Sequence, residues 1–109
     1  MNSNLNPNLN KVYSTEEIKD MLFPIFSNNA VYNAVLFGSY AKGTATVQSD
    51  IDIVIDSRGE LLNIGFYGLL EEITQKLGKQ IDLLEVSEFQ KNGPIYENVQ
   101  KEGVILYAR

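Results

Sequence analysis

The stretch Ser49-Asp50-Ile51-Asp52-Ile53-Val54-Ile55-Asp56 sets two carboxylates one residue apart in an otherwise apolar, β-branched run. Side chains of a strand alternate with period two. Asp50 and Asp52 therefore share one face, and Ile51, Ile53 and Ile55 share the other, which must be core. The two carboxylates lie roughly 6–7 Å apart at a rise of about 3.3 Å per residue. Like charges at that range raise each other's pKa unless a cation lies between them. Mg²⁺ suits the task, because it prefers carboxylate oxygens and keeps open positions for phosphate. A third carboxylate, Asp82, stands in another apolar run, between Ile81 and Leu83. If the two strands are neighbours, Asp82 faces the pair. Three carboxylates around two ions about 3.5–4 Å apart serve in-line phosphoryl or nucleotidyl transfer. Asp82 is the best placed of the three to take a proton from an attacking hydroxyl.

Twelve positions before Asp50 stands Gly38-Ser39, at the end of the apolar run Ala30–Phe37. Gly38 allows a sharp turn and the close approach of a ligand. Ser39 offers a hydroxyl and an N–H at the start of a short helix, Tyr40 to Lys42. Unpaired N–H groups at a helix start favour anions. Lys42 adds a positive charge, and Gly43 ends the turn. Taken alone, each of these features has a plain structural reading: a turn, a solvated strand face, a strand-end acid. Their joint order is what points to phosphate chemistry.

Composition narrows the chemistry further. The chain has no Cys and no His. Thiolate nucleophiles, Cys-type zinc sites, Ser-His-Asp triads and imidazole acid–base catalysis are excluded. The balance of 9 Lys+Arg against 14 Asp+Glu gives a net charge of −5, which argues against unaided gripping of a nucleic-acid backbone. Metal ions still bring phosphate to an acidic site. The length of 109 residues suits one domain. No apolar run approaches a membrane span, and no basic-then-apolar leader opens the sequence, so a cytoplasmic protein is expected.

The elements that must position these residues read as follows. Residues 1–13 form an Asn-rich, disordered lead-in, and the domain covers 14–109. Ser14 with Glu17 makes a capping box. Ile18, Met21, Leu22, Ile25 and Phe26 then recur at helical spacing. Pro24 predicts a kink or an early end, with the helix closing near Asn28-Asn29. Ala30–Phe37 predicts a strand buried on both faces. Ile51–Ile55 is a second strand, with Asp56-Ser57-Arg58-Gly59 as its exit turn. Leu61, Leu62, Ile64 and Phe66 crowd a Gly-broken segment whose simplest reading is burial, with an apolar partner surface as the alternative. Phe66, Leu69, Leu70, Ile73 and Leu77 form a helical stripe closed by Gly78 as a left-handed cap. Gln80–Val86 is a third strand. Ser87 with Gln90 repeats the capping box before a short helix through Ile95 and Val99, and Val104–Tyr107 adds an edge strand. Arg58 reads as a solvated turn residue, while Tyr67, Tyr96 and Tyr107 read as core or interface. The fold class is α+β: a small mixed sheet flanked by helices.

The order Gly-Ser, ten residues (40–49), then Asp-x-Asp resembles the signature of the polymerase-β-like nucleotidyltransferase superfamily. Within it, LFGSYAKGTATVQSDIDIVID, IDLLEV and EGVILY resemble the minimal nucleotidyltransferase (MNT) antitoxins paired with HEPN-domain toxins. The likeness covers residues 14–109. Lys42 departs from it, since many relatives carry Arg there, and a bidentate phosphate grip would be lost. The resemblance implies a minimal nucleotidyltransferase fold, with ATP as substrate and Mg²⁺ held by Asp50, Asp52 and Asp82. It implies Gly38 and Ser39 at the triphosphate, with Lys42 adding charge there. It further implies transfer of AMP to a Tyr hydroxyl of a HEPN toxin, hence an antitoxin working in a hetero-oligomer. Two other readings stay open: an antitoxin that acts by binding alone, and a nucleotidyltransferase for a small molecule such as an aminoglycoside.

Overall fold

Ser14 caps the first helix as its spacing requires. Its hydroxyl accepts from Glu17 N–H at 3.1 Å, and Ser14 N–H donates back to Glu17 Oε1 at 2.9 Å. Helix α1 then runs Thr15–Ser27. It does not end at Pro24. Asp20 and Pro24 are both exposed, so water takes the carbonyl bond that proline cannot make. Asn28 forms the C-cap, as expected, and its N–H bonds to Pro24 O at 3.1 Å. The computed structural model describes residues 10–61, 63–86 and 102–109. The expected Ser87 cap, the helix through Ile95 and Val99, and Tyr96 lie outside the described residues.

The first strand, β1, covers Asn33–Phe37 and is shorter than the apolar run suggested. Residues 28–30 instead complete the turn out of α1, where the Asn29 side chain donates to Ile25 O at 2.8 Å. Its burial alternates: Ala34 and Leu36 are buried, while Val35 and Phe37 are half-buried. Next come α2 (Gly38–Lys42), β2 (Ile51–Asp56), α3 (Ile64–Leu77), β3 (Ile81–Glu85) and β4 (Val104–Ala108). The four strands form one mixed sheet in the order β3-β2-β1-β4. β1 runs antiparallel to β2 and β4, and β2 runs parallel to β3. A parallel pair needs a crossover of a dozen or more residues, and α3 supplies it. Gly78 ends α3 at φ 65°, the left-handed cap read from the sequence. β4 takes the outer edge beside β1, the edge strand expected over Val104–Tyr107.

The register decides which side chains meet. Ile51, Ile53 and Ile55 are fully buried. They line up with Ile81 and Leu83 across β3 and with Leu36 and Ala34 across β1. Ile18, Leu22 and Phe26 of α1 and Leu69, Ile73 and Leu77 of α3 join the same core. Each such aliphatic side chain contributes about 1.5–3 kcal/mol on burial. Packing also reaches back to Tyr13, whose hydroxyl donates to Leu77 O at 2.6 Å. The start of α3 departs from the expected burial: Ile64 is 88% and Tyr67 67% exposed. Tyr107, by contrast, is buried in the core.

One acid points into the core face. Glu85, in register with Ile55, is buried beside Ser57. Ser57 Oγ donates to Glu85 Oε2 at 2.5 Å and accepts from Leu61 N–H at 3.2 Å. A buried carboxylate must be hydrogen-bonded to be tolerated. Here it ties the exit turn of β2 to the end of β3.

Candidate active site

Three chain segments meet at one end of the sheet. They are the end of β1 at Phe37, the start of β2 at Ile51 and the start of β3 at Ile81. Asp52 stands opposite Phe37 on one side and Asp82 on the other. Directly paired residues of neighbouring strands project from the same face. Asp52 and Asp82 therefore lie side by side, about 4.8 Å apart at the backbone by the usual strand spacing. That face is opposite the one carrying Ile51, Ile53 and Ile55. Asp50, just before the strand, completes the group.

The charges register one another. Burial pushes the Asp52 carboxyl above the usual carboxylate range. The neighbouring charges of Asp82 and Asp50 push it further, and so does a proton shared with Asp82. Asp52 is half-buried, while Asp50 and Asp82 are exposed. Among the described residues, no group of three or more acidic side chains is drawn together closely enough to hold an ion as it stands. The acids share one surface without forming a closed cage.

Gly38 supplies the other wall. It ends β1 at φ +73°, and the one-turn helix α2 begins on it. A β-carbon there would meet Asp52 Oδ2 well inside van der Waals contact. The sharp turn expected at Gly38 is present, and the group that comes close to it is the Asp52 carboxylate. Ser39 follows in the first turn of α2, half-buried. Tyr40 is 3% exposed and anchors α2 in the core, so it is a packing residue. Gly43 closes α2 at φ +77°. Lys42 is exposed and forms an ion pair with Glu102 at 3.9 Å.

The loop from α2 to β2 carries Asp50 and is held by contacts that the sequence reading missed. Thr46 N–H donates to Ser49 Oγ at 2.9 Å, and Ser49 N–H to Thr46 O at 3.0 Å. Ile51 N–H donates to Gln80 O at 3.0 Å. Lys79, only 8% exposed, donates from Nζ to Val47 O at 3.4 Å. A buried lysine is rare enough to mark a built contact. Its neighbours Gly78 and Gln80 gave no sign of that role, because the partner lies 32 residues away.

Arg58 lies at the other end of the sheet, past the end of β2. Its guanidinium stacks over the Tyr32 ring at 4.1 Å, where it has no reach to the aspartates. The reading of Arg58 as a turn residue agrees with its place after Asp56, at φ 53°.

A family model described as polymerase beta, nucleotidyltransferase matches residues 16–109. The chain belongs to the polymerase β nucleotidyltransferase family. As a member of that family it is a nucleotidyltransferase. It is 38% identical over 69 residues to a candidate protein adenylyltransferase of Methanocaldococcus jannaschii, covering 62% of this chain and 73% of that protein. Its fold is similar to a chain of a toxin–antitoxin complex crystallised with AMP-PNP (TM-score 0.71, 25% identity, 84% of this chain and 73% of that one). It also superposes on a chain of the complex between a tri-AMPylated Shewanella oneidensis HEPN toxin and its MNT antitoxin. There the TM-score is 0.66 at 21% identity, over 87% of this chain and 73% of that one. The last likeness is one of fold.

Proposed function

We propose that this nucleotidyltransferase moves AMP from ATP to a tyrosine hydroxyl of a partner HEPN toxin, with Mg²⁺, and so acts as the toxin's antitoxin. The observation that carries the reading is the register of Asp52 beside Asp82, against the glycine wall at Gly38. The relative named as an adenylyltransferase and the AMP-PNP complex of similar fold support the class of reaction. The toxin complexes of similar fold support the partner and a hetero-oligomeric state. The work would be done in the cytoplasm, where ATP is plentiful; among the described residues no helix is long and apolar enough to cross a membrane.

The donor set fits the metal. It consists of carboxylate oxygens only, which Mg²⁺ prefers, and burial, with the neighbouring charges of Asp82 and Asp50, raises the Asp52 pKa. Asp50, Asp52 and Asp82 would be the ligands. When bound, Mg²⁺ supplies charge neutralisation and orientation of the phosphates. The chain's own groups do the rest. Backbone N–H groups at Gly38 and Ser39 face the triphosphate, and Lys42 adds positive charge at that side. Asp82 accepts the proton of the attacking tyrosine hydroxyl. The phenolic oxygen forms a bond to the α-phosphorus as the bond to pyrophosphate breaks. Tyrosine leaves as an AMP ester, pyrophosphate carries away the electron pair, and the proton rests on Asp82.

The test mixes the protein with labelled ATP, Mg²⁺ and a HEPN protein encoded beside it. Label on the HEPN tyrosine with the wild type, and none with Asp50→Ala/Asp52→Ala, is the expected result. Full neutralisation of the toxin by the double variant without any label would replace transfer by simple occupancy.

A further inference from the structure

Of the three acids, only Asp50 lies outside the strands, at the end of the loop 43–50 that joins α2 to β2. Its charge is still felt at Asp52, so something must keep this loop in place. Ala45 packs on the core, but Thr44, Thr46, Val47 and Gln48 are exposed. A segment with so little apolar packing opens readily. The bonds between Thr46 and Ser49 close the loop on itself and do not fix it to the sheet.

Two contacts tie its end to the residues that lead into β3. Ile51 N–H donates to Gln80 O at 3.0 Å, and Lys79 Nζ donates to Val47 O at 3.4 Å. The first holds the backbone just after Asp50, and the second holds it three residues before. Lys79 is itself firmly based. It stands between Gly78, the left-handed cap of α3, and Gln80, the residue bonded to Ile51. Asp82 follows three residues later. An ammonium that is only 8% exposed has exchanged water for protein contacts, unlike the ordinary solvated lysine.

We infer that Lys79 is a positioning residue of the proposed metal site: by holding Val47 O, it keeps the Asp50 carboxylate beside those of Asp52 and Asp82. The inference rests on the proposed role of Asp50 as a Mg²⁺ ligand. Groups that orient a ligand without touching the metal typically carry about 10–100-fold in affinity. A charge effect has the opposite sign. Removing a positive charge near an acidic group by itself favours a cation, whereas removing the anchor weakens its binding.

Binding of Mn²⁺, which takes the same carboxylate ligands, is measured on the nucleotide-free protein from the EPR signal of the free ion. Wild type, Lys79→Met, Asp50→Asn and the double variant complete a cycle. Lys79→Met is expected to weaken binding about tenfold. In the Asp50→Asn background the same change should cost less than about twofold, because the ligand it positions is gone. Lys79→Gln keeps an amide donor for Val47 O. It should fall between, and it replaces Lys79→Met in the cycle if that variant does not fold. Unchanged or tighter binding by Lys79→Met overturns the inference. An equal loss with and without the Asp50 carboxylate overturns it too, since Lys79 would then support the fold as a whole. If Asp50→Asn alone binds Mn²⁺ as well as the wild type, the metal role of Asp50 has failed, and the inference falls with it.

Discussion

Asp52 Oδ2 occupies the space that a side chain at position 38 would need. Gly38 is also at φ +73°, in the left-handed region that costs other residues roughly 1–2 kcal/mol. Gly38→Ala should therefore do two things. It should lower the melting temperature, by about 4–8 °C for each kcal/mol lost. It should also push the carboxylate aside, and a displacement of about 1 Å at a reacting centre costs on the order of 100-fold in rate. The double variant Gly38→Ala/Asp52→Ala separates the two effects. The clash disappears while the backbone strain stays, so the melting-temperature changes of the single variants should not add. Strict additivity in thermal melts would show that the two groups do not meet.

Removing the charge of Asp52 should stabilise the metal-free protein. Burial, Asp82 and Asp50 all disfavour its ionised form. In EDTA at neutral pH, Asp52→Asn is expected to melt a few degrees above the wild type, since about 1 kcal/mol corresponds to about 4–8 °C in a domain of this size. Millimolar Mg²⁺ with ATP should reverse the order. A ligand at one hundred times its Kd adds about 2.7 kcal/mol to the protein that binds it, and the variant has lost a donor. Scanning fluorimetry reads both effects. Equal gains with Mg²⁺ in the two proteins would remove Asp52 from the ligand set.

The cap of α1 sets a pH dependence far from the acidic cluster. The Ser14 N–H bond to Glu17, together with Lys11, holds the Glu17 carboxyl below its ordinary value of 4.5. A depressed carboxylate stabilises the fold fully above its unfolded pKa, and that contribution fades as the pH falls through the folded value. The wild type should thus lose stability between about pH 5 and the folded pKa of Glu17, a loss that Glu17→Gln does not share. The gap in melting temperature between the two should be widest at neutral pH and close as the pH falls through the folded pKa of Glu17. Ser14→Ala should cost about 1 kcal/mol. A pH-independent gap between wild type and Glu17→Gln would assign the bond to shape alone.

How much of this could be read in advance follows from the range of each interaction. The alternation in Ile51–Ile55 is local, so the buried and acidic faces of β2 follow from period two alone. The Ser14–Glu17 box and the left-handed Gly78 are also local. Asp82 needed one assumption, that β2 and β3 are neighbours, and the register supplies it. What failed depends on distant partners. β1 came out three residues shorter than the apolar run, because Asn29 turns back to close α1. Ile64 looks like core by composition but sits where α3 faces outward. Lys79 reaches a carbonyl 32 residues away, and no local pattern encodes that contact.

The end of α1 carries a contact of the same long-range kind. No basic residue lies in its last turn, where the helix dipole would favour one. Arg109 supplies the charge from the other end of the sequence. Its guanidinium donates to Phe26 O at 3.4 Å, Ser27 O at 3.2 Å and Asn29 O at 3.2 Å. Its Nε donates to the Tyr107 hydroxyl at 3.1 Å. One side chain thus fastens β4 to the helix and satisfies carbonyls that α1 leaves open. Arg109→Gln should cost about 0.5–2 kcal/mol, the range for a charge at a helix end with its hydrogen bonds. Arg109→Lys should recover only part: the three carbonyls all bond one terminal nitrogen, which an ammonium can replace, but the Nε bond to the Tyr107 hydroxyl is lost. The aspartates are at the far end of β1, so kcat at a temperature below both melting transitions should stay within twofold of wild type. A loss of kcat out of proportion to stability would mean that β4 transmits to the site, through its pairing with β1 at Leu36 and Val104.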